Sequence, residues 1–411
     1  MSWFGSSTKV KCNNIGYDLP KKGDPPVIGI CLDGTGPNHL AGVKMPNFWS
    51  GSYRDAYAFL PTVTNTNNVS IITGVAPSVH GVVANTILES KKKAGGEILV
   101  ETPLIQGSTL KCESLLSCAS QKGHPVLVVT AKKKLVNLLG NGVHSNSLIV
   151  AIEDLNDENS PSLKALEDKG LDGAVHEAGP PPHIYTPDAS VYCLRLAYEI
   201  LDLGKYTGFR PSLVYISTTD YVQHLNSPKS KVSQDYYEAI DRELGRLKLK
   251  GRVGVTADHG MNEKTNLLFI EDIISQKNLT CRVGIAIKDV HMIHHLGFGS
   301  YVTIHAPKKD ESAVWNIVKN LPGVQRCEKN EHGVLEAFGD KTTAFGSTRE
   351  FHYKSNAALS NRSNRTIRTH GGEAESLIPL AFLFEMDSDV NNQFLQTPRL
   401  YNKDLFFFLC K

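Results

Sequence analysis

No apolar run in the 411-residue sequence approaches the roughly 20 residues needed to span a bilayer as a helix. Net charge is only +2, so no broad basic field is available for nucleic acid or an anionic membrane, and attraction for an anion has to be local. The eight cysteines (Cys12, Cys31, Cys112, Cys118, Cys193, Cys281, Cys327, Cys410) are scattered and include no Cys-x-x-Cys pair. They read as reduced, mostly buried thiols, which favours a cytoplasmic protein. Met1-Ser2-Trp3-Phe4-Gly5 lacks the charged-then-apolar order of a secretory signal. Internal repeats and low-complexity tracts are also missing. With 41% hydrophobic and 21% charged residues, the composition is that of a globular chain.

What the sequence does contain is a series of apolar runs that end in chemistry-bearing residues. Val27 to Leu32 is continuously apolar and stops at Asp33. Val126 to Thr130 leads to Lys132 and Lys134, Leu213 to Ile216 leads to Asp220, and Val253 to Thr256 leads to Asp258-His259. Continuous rather than alternating apolarity suits strands covered on both faces. Helical spacing between them, as in Ser190 to Leu203, predicts an α/β fold with a mainly parallel central sheet flanked by helices. Ligands in such sheets gather at the carboxyl ends of strands. A second strand is expected near Ala56 to Leu60. Pro61 to Gly74 reads as polar capping residues followed by a short helix, with Thr64 at or near its N-terminus. From about Asn266 to Gly346 the texture changes to a small βαβ-like unit, taken as an α+β cap inserted before His370. Ser347 to Arg368 reads as an irregular return loop. The apolar tail Leu405 to Cys410 is too short to span a membrane and is expected to dock on the body.

Two metal sites can be assembled from these residues. If the chain turns helical after Asp220, then His224 falls on the same face, and with His370 it supplies one oxygen and two nitrogens. Asp33, Asp258 and His259 supply the same set for a second ion, with the Thr64 oxygen between them. Three protein ligands and an open position are the pattern of catalytic zinc. Mixed carboxylate and imidazole donors suit zinc, and manganese less well. Two such ions can stabilise an in-line displacement at phosphorus. Each residue alone has an ordinary reading: an acid after a strand caps or pairs, and His-Gly turns. Lys132 and Lys134 are equally a solvated helix start or a holder of a carboxylate or phosphate, and Asn85 is a turn residue or a donor to a phosphoryl oxygen. His294-His295 and His80 are weaker candidates for metal ligation.

Taken together, Asp33, Thr64-Asn65, Thr73-Gly74, His80-Gly81, Thr219 to His224, Ala257 to Met261 and Thr369 to Gly372 resemble the alkaline phosphatase superfamily. Within it, Pro61 to Gly74, Val129-Thr130-Ala131-Lys132 with Lys134, and Tyr215 to Tyr221 resemble the phosphonoacetate hydrolases. The resemblance runs from about Cys12 to Pro379. It implies an alkaline-phosphatase-like core at 12–270 and 347–385, a cap at 271–346 and a C-terminal extension at 386–411. It further implies two zinc ions, with manganese or iron as substitutes: Asp220, His224 and His370 at one, Asp33, Asp258 and His259 at the other, and Thr64 also at the metals. Thr64 would be the nucleophile that takes up phosphorus from a phosphonate. Asn85 would hold a phosphonate oxygen, Lys132 and Lys134 would meet the substrate carboxylate, and His224 would also face the substrate. The expected partner is then a small carboxylated phosphonate such as phosphonoacetate, with no nucleic acid and no membrane; a homodimer is compatible with this.

The chain departs from that pattern in places. Gly34-Thr35-Gly36-Pro37-Asn38-His39 stands where an acidic-aromatic pair is expected after the proline, and the segment up to Thr64 is short. Two other readings stay open. One is a nucleotide pyrophosphatase or phosphodiesterase, although the sequence sets no aromatic pair for a base beside the motifs. The other is a catalytically inactive metal-binding protein.

Overall fold

The structure, a computed structural model, describes residues 8–93, 96–288, 297–330, 333–354 and 366–411. His294-His295 and residues 355–365 of the expected return loop lie outside the described residues. Among the described residues no helix is long and apolar enough to cross a membrane.

The expected central sheet is present and has seven strands. Across it run Ser52–Tyr57, Leu377–Phe382, Arg252–Thr256, Val27–Cys31, Leu213–Ser217, Val126–Thr130 and Leu148–Ala151. The last five are mutually parallel, and the first two join antiparallel at one edge. The edge strand starts earlier than expected, at Ser52, because its register is set by pairing Tyr57 to Ser52 against Leu377 to Phe382.

Alternate residues of each strand feed two cores. Ile28, Ile30, Val214, Ile216, Val253 and Val255 pack with helices Asp188–Thr207 and Lys231–Lys248. On the other face, Val27, Val126, Val128, Leu213 and Tyr215 pack with helix Thr64–Thr73 and with the tail helix Leu405–Leu409. The tail thus docks as expected. It does so against glycines: a Cβ at Gly29 would lie 2.5 Å from the Phe406 ring, and one at Gly254 would lie 3.0 Å from Leu405. Two central strands leave room that Phe406 fills at Gly29 and Leu405 fills at Gly254.

The βαβ expectation for the insert is corrected. Arg282–Ile285, Tyr301–His305, Leu335–Gly339 and Val324–Lys329 form a four-stranded sheet in that order, antiparallel throughout. The helix Glu311–Lys319 buries Val314 and Val318 against it. A helix was also missed at Arg349–Lys354, within the segment read as irregular.

Removing the Phe406 ring leaves a cavity over Gly29. Phe406→Ala is expected to lower the free energy of unfolding by about 3–5 kcal/mol in urea titrations. Gly29→Ala should cost much less in that background than in the parent chain, because the clashing ring is gone; equal costs in both would contradict this packing.

Candidate metal centre

Four adjacent parallel strands end on the same side of the sheet. Asp258 follows Arg252–Thr256, Asp33 follows Val27–Cys31, Asp220 follows Leu213–Ser217, and Lys132 follows Val126–Thr130. Thr218 ties two of these ends together: its Oγ1 accepts from Asp33 N–H at 2.9 Å, and its own N–H donates to Cys31 O at 3.1 Å. Gly34 takes φ +73°, and a Cβ there would sit 2.8 Å from the Asp220 Cβ. Only a residue without a side chain lets those two acids come so close. Asp220 precedes the short helix Tyr221–Leu225, so His224 returns over it, with Nε2 3.0 Å from Asp220 Oδ2. The expected shared face is real.

His370 arrives from a different direction. It follows Ile367–Thr369, which pairs with Asn262–Lys264, the strand after Asp258-His259. Buried Glu375 fixes this junction, with Oε1 accepting from Lys264 Nζ at 2.7 Å and Asn262 Nδ2 at 2.8 Å, and Oε2 accepting from Gly372 N–H at 3.1 Å.

The three histidines share one mode of support. His224 Nδ1 faces Arg368 O at 2.8 Å, His259 Nδ1 faces Gly260 O at 3.0 Å, and His370 Nδ1 faces Thr62 O at 2.7 Å. A carbonyl only accepts, so each Nδ1 carries a proton and each Nε2 is the ring nitrogen left to face the centre. Asp33, Asp258 and His259 bring donor atoms within 4.8 Å of one another, and so do Asp220, His259 and His370. The first group is the expected trio. The second has His259 where the sequence suggested His224; the His259 and His370 rings stack at 3.6 Å. His224 nevertheless reaches the same Asp220 oxygen, to which His370 Nε2 lies 3.7 Å away.

Thr64 is buried and is the first residue of its helix, with Oγ1 3.5 Å from His259 Nε2. The polar run behind it does not cap the helix, which begins after Val63 without a side-chain cap. Its asparagines lie inside and bind other parts of the fold. Asn68 donates to Asp258 Oδ2 at 3.2 Å and accepts from Tyr215 Oη at 2.7 Å and Ser217 Oγ at 2.8 Å. Nothing in the sequence marked Asn68 except its place one turn after Thr64. Asn85 lies at the helix start, its Oδ1 accepting from Asn65 N–H at 2.9 Å.

The charges are unbalanced. Burial, then the neighbouring Asp220 and Asp258, holds Asp33 well above the usual carboxylate range. Burial pushes Asp258 up to about 6 against the opposing charge of Lys132. Burial keeps His259 and His370 below their ordinary value, hence in the neutral, ligating form. Lys132 Nζ lies 2.6 Å from Asp33 Oδ2 and 2.8 Å from Asp220 Oδ1, a position the sequence did not reveal. Burial alone would discharge it, but the two carboxylates outweigh burial and hold it charged. One ammonium stands against three acids, and Asp33 Oδ1, fully buried, makes no hydrogen bond among the described residues. Oxygen and neutral imidazole donors with uncompensated negative charge fit divalent cations. Lys134 is buried two residues further on, in the turn Lys133–Leu135.

A sequence model of the type I phosphodiesterase / nucleotide pyrophosphatase family matches residues 27–367, a span that holds every residue of this centre except His370. The chain belongs to that family. This family member is similar over its whole length to the phosphonoacetate hydrolase of Sinorhizobium meliloti. The match to that enzyme's complex with phosphonoformate has 28% identity, a TM-score of 0.81 and 99% coverage of both chains. The match to its complex with phosphonoacetate has 26% identity, a TM-score of 0.80 and the same coverage. Human ectonucleotide pyrophosphatase/phosphodiesterase 5 shares the fold at 14% identity, 94% coverage of both chains and a TM-score of 0.58.

Two details bear on the earlier readings. Tyr185 stands against Tyr221, ring centroids 6.1 Å apart, so an aromatic pair does adjoin Asp220, assembled from residues far apart in sequence. His80 is placed behind the Thr64 helix. Its Nδ1 accepts from Val82 N–H at 3.2 Å, so Nε2 carries the proton and donates to Ser70 Oγ at 2.9 Å. Burial holds its pKa down at about 4, from an ordinary 6.5. The folded state therefore resists a proton that the unfolded state takes up, so stability is complete above pH 6.5 and is lost as pH falls towards 4. The loss from this group is about 3 kcal/mol. Chemical denaturation of His80→Gln across that window should show a shallower pH slope than the parent, by about one proton; an unchanged slope would contradict it.

Proposed function

We propose that this chain is a two-zinc hydrolase that cleaves the carbon–phosphorus bond of phosphonoacetate, or of a similarly carboxylated phosphonate, to acetate and phosphate. The observation that carries the reading is the buried Thr64 hydroxyl at a helix start, 3.5 Å from Nε2 of His259, the histidine common to both donor groups at the strand ends. Whole-length likeness to a phosphonoacetate hydrolase supports the choice of substrate. In this reading, 12–270 with 347–385 is the catalytic core, 271–346 a cap and 386–411 an extension. A cytoplasmic setting fits the eight free cysteines.

Asp220, His224 and His370 would hold one ion, and Asp33, Asp258 and His259 the other. When bound, such ions neutralise phosphoryl oxygens and make a coordinated hydroxyl or water a better nucleophile at neutral pH. Thr64 Oγ bonds to phosphorus as the carbon–phosphorus bond breaks. The bonding pair passes to the methylene carbon and spreads into the carboxylate as an enolate-like dianion, which takes up a proton to become acetate and so balances the proton that the Thr64 hydroxyl gives up. Water then cleaves the phosphothreonine and restores the hydroxyl. Asn85, its carboxamide oxygen pinned by Asn65 N–H, is left with its Nδ2 as the donor for a phosphonate oxygen. Lys132 and Lys134 stabilise charge that develops on the leaving carboxylate, where transition-state stabilisation counts most. Lys132 is held here by two carboxylates that the proposed ions would claim, which would free its charge for substrate.

Family membership and the Tyr185–Tyr221 pair favour a second reading, hydrolysis of a nucleotide diester with the base against those rings. Comparing kcat/KM for phosphonoacetate and a nitrophenyl nucleotide ester separates the two. The first reading expects phosphonoacetate to be preferred, and a preference for the ester would replace it. Thr64→Ala should reduce phosphate release from phosphonoacetate by roughly three orders of magnitude or more with metal content retained; release that survives would contradict the nucleophile. Lys132→Ala and Lys134→Ala should each cost about 100-fold on phosphonoacetate and far less on an uncarboxylated ester. Equal losses on both substrates would assign the lysines to the phosphoryl end or to the fold.

A further inference from the structure

A second group of metal-ligating side chains lies away from the centre just described and takes no part in its chemistry. Cys12 ends the strand Thr8–Cys12, Cys118 lies in the helix Leu115–Gln121, and Glu113 precedes that helix. One donor atom from each lies within 4.8 Å of the others. The Cys118 thiol points at Glu113 Oε2 at 3.5 Å, and Cys12 Sγ lies 3.3 Å from the Glu113 carbonyl oxygen. Cys112 is half-buried beside them.

The backbones that carry these donors are held independently. The strand turns back through Asn13 and Asn14, both at positive φ. Asn13 Nδ2 donates to Glu113 O at 2.7 Å and to Thr73 O at 2.9 Å, the latter on the last residue of the Thr64 helix. Ser114 caps its helix by accepting from Ser117 N–H at 3.0 Å. The donors converge because three separately fixed pieces of chain meet.

We propose that Cys12, Cys118 and Glu113 form a binding site for one thiophilic divalent cation of the zinc and cadmium class. A tetrahedral ion with metal–sulfur bonds of about 2.3 Å keeps its ligand atoms about 3.7 Å apart, within the separation seen here. A disulfide would employ two sulfurs and give the carboxylate no part, whereas the Cys118 thiol is already directed at it. An entering ion displaces the thiol protons, now directed at Glu113, to solvent. Exposed Glu113 provides the way in. Occupancy would fasten the N-terminal hairpin, whose Asn13 grips the far end of the Thr64 helix, to the segment that carries Glu113.

Cadmium titration of the phosphine-reduced full-length chain tests this, read as thiolate-to-cadmium charge-transfer absorption. The strand-end centre has only oxygen and nitrogen donors and is silent in that band. The band should saturate at one ion's amplitude, disappear in Cys12→Ser and Cys118→Ser, and persist in Cys281→Ser and Thr64→Ala. Glu113 is exposed, so Glu113→Gln keeps the test decisive if a cysteine variant folds poorly; there the cadmium affinity should fall at least tenfold. Absence of the band, its survival in Cys12→Ser, or an unchanged affinity in Glu113→Gln would overturn the site. So would a Cys12–Cys118 disulfide in peptide maps together with no band after reduction.

Discussion

Three carboxylates buried side by side repel one another and lose the hydration that would make their charge tolerable. Asp33, Asp220 and Asp258 are in that position, 0%, 3% and 0% exposed, at the ends of adjacent parallel strands. Lys132 answers part of the demand by lying between Asp33 and Asp220. That leaves two acids in excess of one base, with neutral imidazoles around them. The surrounding fold is arranged to keep this charge concentrated rather than to relieve it. The concentration is what makes the strand ends a candidate site for multivalent cations.

Support for the centre extends well beyond the residues that face it. Gly34 admits Asp220 beside Asp33, Thr218 crosses between two strand ends, and Asn68 holds Asp258 from the Thr64 helix. The histidines are aimed by backbone carbonyls of Thr62, Gly260 and Arg368, which come from three separate segments. Glu375 joins the His370 loop to the Asp258 loop. The Thr64 helix is itself gripped from behind by the His80–Ser70 contact and packed on the sheet beside the tail helix. Displacing any of these moves a donor without touching it, so the site depends on the packing of both cores.

The acids and the nucleophile candidate were legible because continuous apolar runs locate buried strands, and a polar residue just past such a run has to sit at the sheet's edge. Asp33, Asp220 and Asp258 all follow that logic, and His224 follows from helical spacing. What the sequence could not show depends on contacts between distant segments. The antiparallel partner Leu377–Phe382 looks like any apolar run until it pairs with Ser52–Tyr57. The insert was read as βαβ because order along the chain does not reveal strand direction, and the pairs of its four-stranded sheet proved antiparallel. The asparagines of the Thr64 helix resembled caps because caps and buried polar contacts use the same residue types. Tyr185 reaches Tyr221 only through the fold.

The geometry at the strand ends groups donors that could hold cations between these carboxylates, as the proposed function requires. Anomalous diffraction from crystals of the zinc-loaded chain addresses it directly. The account predicts two zinc peaks about 4 Å apart, one against Asp33, Asp258 and His259 and the other against Asp220, His224 and His370, with Lys132 withdrawn from both carboxylates. A centre that binds no zinc while Lys132 stays between Asp33 and Asp220 would contradict it.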